Sequence, residues 1–161
     1  FDSVINLLQG QVTSDCSRLK NGKGQPSALC DEKGYVLCNF DILLHKKLVL
    51  IAIDDELESI FLDEMKKFAP FYKVAIKPCD IAFTGWIRKP HEDMLPNEQL
   101  IITADNAYVS LLAASSSKEI DENAEDTASM NWYLNRMLLE DHIIQKKDSC
   151  KYRPHELIQH I

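Results

Sequence analysis

Three sets of residues have side chains able to do chemistry. Gln9-Gly10-Gln11 places two amides, each able to donate and accept, on either side of a residue without Cβ. A polar ligand could be read there, and so could a helix C-cap between solvated glutamines. In the segment MNWYLNRMLLE, helical spacing puts Trp132 and Arg136 on one face. An indole face holds a flat heteroaromatic ring and a guanidinium meets a carboxylate bidentately, whereas read without a ligand Trp132 is a packing residue. The third set is Cys16, Cys30, Cys38, Cys79 and Cys150, an odd count with no CxxC spacing, which argues against a disulfide framework, a zinc site and an iron–sulfur nest. Cys30 and Cys38 could face each other across a hairpin, where they read as small core residues rather than a working thiol pair. The five histidines, at 45, 91, 142, 155 and 160, form no HxxxH or HExxH pattern, so no metal is expected.

The chain has 161 residues, enough to bury a sizeable core, and a net charge of -7. That balance supplies no basic face for phosphates, so direct nucleic-acid binding is not expected, and an anionic ligand would need a local basic pocket. No run approaches the roughly 18 apolar residues of a membrane span, and no leader pattern opens the chain. A soluble protein of the reduced cytoplasm is the expectation.

The elements that must position these residues follow from local pattern. Asp2 or Ser3 can cap a short helix with Val4, Leu7 and Leu8 on its apolar side, broken at Gly10. Ser27 to Asp31 and Tyr35 to Leu44 read as an antiparallel hairpin with Gly34 at a positive φ. Lys47 to Ile53 reads as a central strand buried on both faces. Asp54-Asp55 then caps a helix with Leu57, Ile60, Phe61, Met65 and Phe68 on one side, ended by Pro70. Tyr72 to Lys77 alternates like a strand with one wet face; Ile81 to Ile87 is a further strand with Gly85 at a possible bulge and Trp86 as core. Lys89 to Glu98 reads as a loop, Gln99 to Thr103 as a strand, and Asp105 as the cap of a helix carrying Tyr108, Val109, Leu111 and Leu112. The class is α+β, with ferredoxin-like layers of mostly antiparallel sheet and packing helices. Three parts are expected: an α+β domain over 1–114, a serine- and acid-rich linker or loop over 115–129, and a helix with a tail over 130–161.

QGQVTSD over 9–15, LCDEKGYVLCNF over 29–40, LDEMKKFAPFYKVAIKP over 62–78, NWYLNRMLLE over 131–140 and PHEL over 154–157 occur in an order that closely resembles the YgfZ family of folate-binding proteins. These are relatives of the glycine cleavage T protein, an aminomethyltransferase. The resemblance implies an aminomethyltransferase-type folate-binding fold, with tetrahydrofolate as the ligand. Gln9, Gln11, Asn39 and Asp41 are then candidates for polar contacts, Trp132 for the aromatic wall and Arg136 for the charge partner. T proteins carry a pair of aspartates at this place in the hairpin, where this chain has Cys38-Asn39. An amide cannot accept a proton as a carboxylate does, so transfer chemistry is not supported, although Asp41 lies on the same strand face.

YgfZ relatives have a preceding segment. After PHEL they carry a Lys-Gly-Cys-aromatic-x-Gly-Gln-Glu signature and a C-terminal barrel, so the present sequence is expected to be a fragment. The role implied is that of a folate-binding accessory protein that maintains iron–sulfur client enzymes and, through them, tRNA modification. The alternatives are a folate-dependent one-carbon transferase and a non-catalytic interaction scaffold.

Overall fold

The computed structural model describes residues 2–21, 24–45, 47–79, 81–86, 100–104, 107–113 and 144–157. The expected loop at 89–98, the 115–129 segment and the Trp132–Arg136 helix lie outside these residues. Helix α1 spans Asp2–Gln9 and α2 spans Asp55–Tyr72. The strands are β1 (Gly24–Cys30), β2 (Val36–His45), β3 (Leu48–Ile53), β4 (Ile81–Trp86), β5 (Leu100–Ala104) and β6 (Ala107–Ala113). They form two antiparallel three-stranded sheets, ordered β1-β2-β3 and β4-β6-β5. The class is therefore α+β, but the described strands form two sheets rather than a single ferredoxin-like layer.

The β1–β2 hairpin turns where its sequence requires. Asp31 O accepts from Gly34 N–H at 3.0 Å, while Asp31 Oδ1 accepts from the amides of Lys33 and Tyr35 at 2.9 and 2.8 Å. Gly34 then takes φ +81°, the left-handed step that closes a three-residue loop.

A bulge follows at once. Cys30 pairs with Val36 and Leu29 with Cys38, which leaves Leu37 as an extra residue on β2. Beyond it Cys38, Phe40 and Ile42 face the helices, packing with Leu7 and Leu8 of α1 and Leu57, Phe61, Met65 and Ala69 of α2. The Phe40 and Phe61 rings meet edge to face with centroids 4.9 Å apart, a geometry worth about 1 kcal/mol beyond area burial. Val36, on the far side of the bulge, packs instead with Ala28, Ile144 and Leu157.

Helix α2 is built from its ends. Asp54 Oδ1 accepts from Glu56 N–H at 2.9 Å, and acids fill the first turn, where the helix dipole favours them. The helix does not stop at Pro70. Proline removes one backbone donor, whose acceptor would be the carbonyl of Lys66, an exposed residue, and the last turn continues to Tyr72. Lys73, at φ 55°, then closes a Schellman motif, with Val74 N–H donating to Ala69 O and Lys73 N–H to Pro70 O.

Three other expectations change. Tyr72 to Lys77 keeps its alternation, with Tyr72, Val74 and Ile76 packed on the core, but joins no ladder. The apolar run Lys47 to Ile53 becomes β3, an edge of its sheet with Leu48 64% exposed, and the central strand is β2. An apolar run marks a strand without saying where in the sheet it lies. Residues 107–113, expected as a helix, form β6 between β4 and β5, because Tyr-Val-Ser-Leu-Leu suits a ladder with two neighbours. Gly85 pairs with Val109 in unbroken register, so no bulge forms there.

A Cβ on Gly10 would meet only ordinary contacts of 3.6 Å and longer, and Gly10 lacks the positive φ of Gly34. The helix break therefore does not need glycine. Gly34→Ala should cost about 1 kcal/mol or more, while Gly10→Ala should be neutral or stabilising by up to about 1 kcal/mol, as read from urea denaturation.

Candidate functional site

The segment after α1 is stitched to the free edge of β1. Val12 forms an antiparallel bridge with Leu29. Thr13 N–H donates to Ala28 O at 2.9 Å, and Thr13 Oγ1 accepts from Ala28 N–H at 3.0 Å. Ser14 Oγ donates to Ser27 Oγ at 2.8 Å, so the buried Ser27 is satisfied. Gln9 Oε1 accepts from Cys16 N–H at 2.7 Å, where a 3₁₀ turn over Cys16–Arg18 begins, and Asp15 caps the same turn through Ser17. The hydroxyl and then the amide of Ser17, with Arg18 beyond them, hold the Asp15 carboxyl below its ordinary range. The Thr-Ser-Asp cluster thus fastens a loop to a strand.

Asn39 stands on the other face of the sheet. Its Oδ1 accepts from Ile144 N–H at 3.0 Å, across 105 positions of sequence. Residues 144–157 meet that face and the edge beside it: Ile144 and Leu157 are buried with Ala28 and Val36, while in the plane of the sheet Val36 N–H donates to Tyr152 O and Cys150 N–H donates to Val36 O. Arg153 sits over the Tyr35 ring at 5.3 Å. Asp41 shares the Asn39 face and is half-buried, opposite Pro26 and Ala52.

The six sequence candidates therefore do not form one described cluster. Gln9 belongs to the helix layer and Gln11 to the loop after it, Asn39 and Asp41 belong to the opposite face, and Trp132 and Arg136 lie outside the described residues. Sequence reasoning passed over Arg18, Lys20 and Gln25, which line an open cavity of about 470 Å³ with Leu19 and Gly24. The signal available was two cations spaced i, i+2 before a glycine-rich turn, in an acidic chain.

Burial raises the thiols of the sheet layer. Cys38 is pushed up to about 12 and Cys16 to about 11, and Cys30 is raised by burial and then by Asp31. Neither Cys30 nor Cys38 sits where a thiolate would be stabilised. Among the described residues, no three His, Cys, Asp or Glu side chains are grouped to hold a metal, and no helix is long and apolar enough to cross a membrane.

No family model matches the chain. It is 36% identical over 79 residues to the tRNA-modifying protein YgfZ of Pectobacterium carotovorum subsp. carotovorum, a match covering 49% of this chain and 24% of that protein. Over about half its length the chain is therefore similar in sequence to a protein named tRNA-modifying protein YgfZ. The YgfZ of Pectobacterium atrosepticum is 36% identical over 77 residues, covering 48% of this chain and 23% of that one. An uncharacterized Haemophilus influenzae protein is 35% identical over 97 residues, or 59% of this chain and 34% of its own. The matched stretches thus span only about a quarter to a third of those relatives.

Two measurements test this geometry. Asn39→Ala should cost about 1–3 kcal/mol and speed hydrogen exchange at Ile144, while Asn39→Asp, which keeps an acceptor, should preserve the protection. Iodoacetamide at pH 8 should alkylate the exposed Cys79 and Cys150 first, the half-buried Cys30 more slowly, and the buried Cys16 and Cys38 only on unfolding. Because these buried thiols hold their protons more tightly folded than unfolded, stability should fall as pH rises through about 9 toward 12.

Proposed function

We propose that this chain is part of a folate-binding accessory protein of the YgfZ type, acting in tRNA modification through the upkeep of iron–sulfur enzymes. The observation that carries the reading is the 36% identity to proteins named tRNA-modifying protein YgfZ. On this reading the chain takes an aminomethyltransferase-type fold and works in the cytoplasm, with tetrahydrofolate as ligand. Trp132 gives the pterin a wall and Arg136 meets its carboxylate tail. Gln9, Gln11, Asn39 and Asp41 are the polar candidates.

The hairpin supports an accessory protein over a transferase. Asn39 presents an amide, and its Oδ1 already accepts from Ile144 N–H at 3.0 Å. A side chain so held can fix the wall of a pocket, but it cannot take up a proton as a carboxylate does. Among the described residues of β2 on that face, Asp41 is the carboxylate that a one-carbon transferase would use.

The same Asn39–Ile144 bond also favours a scaffold, in which the chain covers its own ancestral pocket. Calorimetry separates the readings. Tetrahydrofolate titrated into the full-length protein should bind saturably, and Trp132→Ala should weaken it by about five- to tenfold, equivalent to the loss of an aromatic contact of about 1–1.5 kcal/mol. Absence of binding to the folded protein overturns the folate reading and leaves the scaffold.

A further inference from the structure

The cavity beside β1 has a chemistry that the folate reading does not use. Its floor is Leu19, which is half-buried against the main core, and one wall is Gly24, fixed by its pairing with Leu43. Two cations, Arg18 and Lys20, border it in a chain whose net charge of -7 repels anions in general.

Arg18 is not consumed by its ion pair. Its Nε lies 3.3 Å from Asp15 Oδ2, but the side chain is 82% exposed, and such a pair contributes little and yields readily to a competing anion. Asp15, the opposing charge at this edge, directs Oδ1 to the amide and hydroxyl of Ser17 and Oδ2 to Arg18.

Gln25 sets the third feature. Its Nε2 donates to Ser14 Oγ at 3.0 Å and to Asp15 O at 3.1 Å. A main-chain carbonyl can only accept, so the Asp15 contact fixes which way the amide is turned, and both its N–H groups are spent. The group left for a ligand is Oε1, an acceptor.

Two cations, an apolar floor and a fixed acceptor do not describe a site for a bare anion. We propose that this cavity binds a small ligand carrying a phosphate or carboxylate, set between Arg18 and Lys20, next to a hydrogen-bond donor that meets Gln25 Oε1. A ribose phosphate, with its hydroxyls, and a glutamyl peptide, with its amide N–H, both have this chemistry. The inference stands without the folate reading.

The test is an NMR titration of the whole chain with ribose 5-phosphate and, separately, with γ-glutamylglutamate, on the wild type and on an Arg18→Gln/Lys20→Gln variant. Both positions are exposed, so an unchanged melting temperature verifies that the variant is folded. The expected result is saturable shifts at the Gly24 and Gln25 amides with at least one probe, weakened about tenfold or more in the variant. The probe that saturates at lower concentration identifies the source. No saturable shift with either probe, or saturation that the variant leaves unchanged, overturns the proposal.

Discussion

Strand β2 imposes the requirement that organises the described structure. Val36, Cys38, Phe40, Ile42, Leu43 and Leu44 are all buried, although a regular strand sends successive residues to opposite faces. Such a strand must be covered on both faces, and the bulge at Leu37 shares out the task. It leaves Cys38, Phe40 and Ile42 to the two helices and turns Val36 toward Ile144 and Leu157. One extra residue thus determines which stretch of chain, near or distant in sequence, packs on each side of the hairpin.

Covering a strand with irregular chain leaves backbone donors to be satisfied, and the polar side chains of this protein are largely given to that. Thr13, Gln9, Asp31, Asp54 and Asn39 each accept from a backbone N–H, and Ser14 and Ser27 satisfy each other. Each bond is worth about 1 kcal/mol net, but an unsatisfied buried donor costs more than that, which is why such side chains are hard to replace. The same bonds narrow the functional reading. Among the described candidates, Gln9 and Asn39 are engaged with their own chain, while Arg18, Lys20 and Gln25 line an open cavity.

Legibility followed the range of the forces involved. The hairpin with Gly34 and the capped, amphipathic α2 rest on neighbours a few residues apart, and both were readable. The apolar residues of 107–113 fit a helix face as well as a strand, and it is the pairing with β4 and β5 that makes this segment β6. Residues 72–77 show the converse, with strand-like alternation and core packing but no partner for a ladder.

The sequence by itself determined the hairpin and its turn, the helix α2 and its N-terminal cap, the apolar faces and the partial similarity to YgfZ proteins, since these depend on local geometry and on residue identity in order. Only the tertiary structure decided that β2 rather than β3 is central, that Gln9 and Asn39 fall on opposite faces of one sheet, and that Asn39 binds Ile144. Those outcomes depend on the bulge at Leu37 and on a contact spanning 105 positions, and neither a spacing rule nor a propensity reaches that far along a chain.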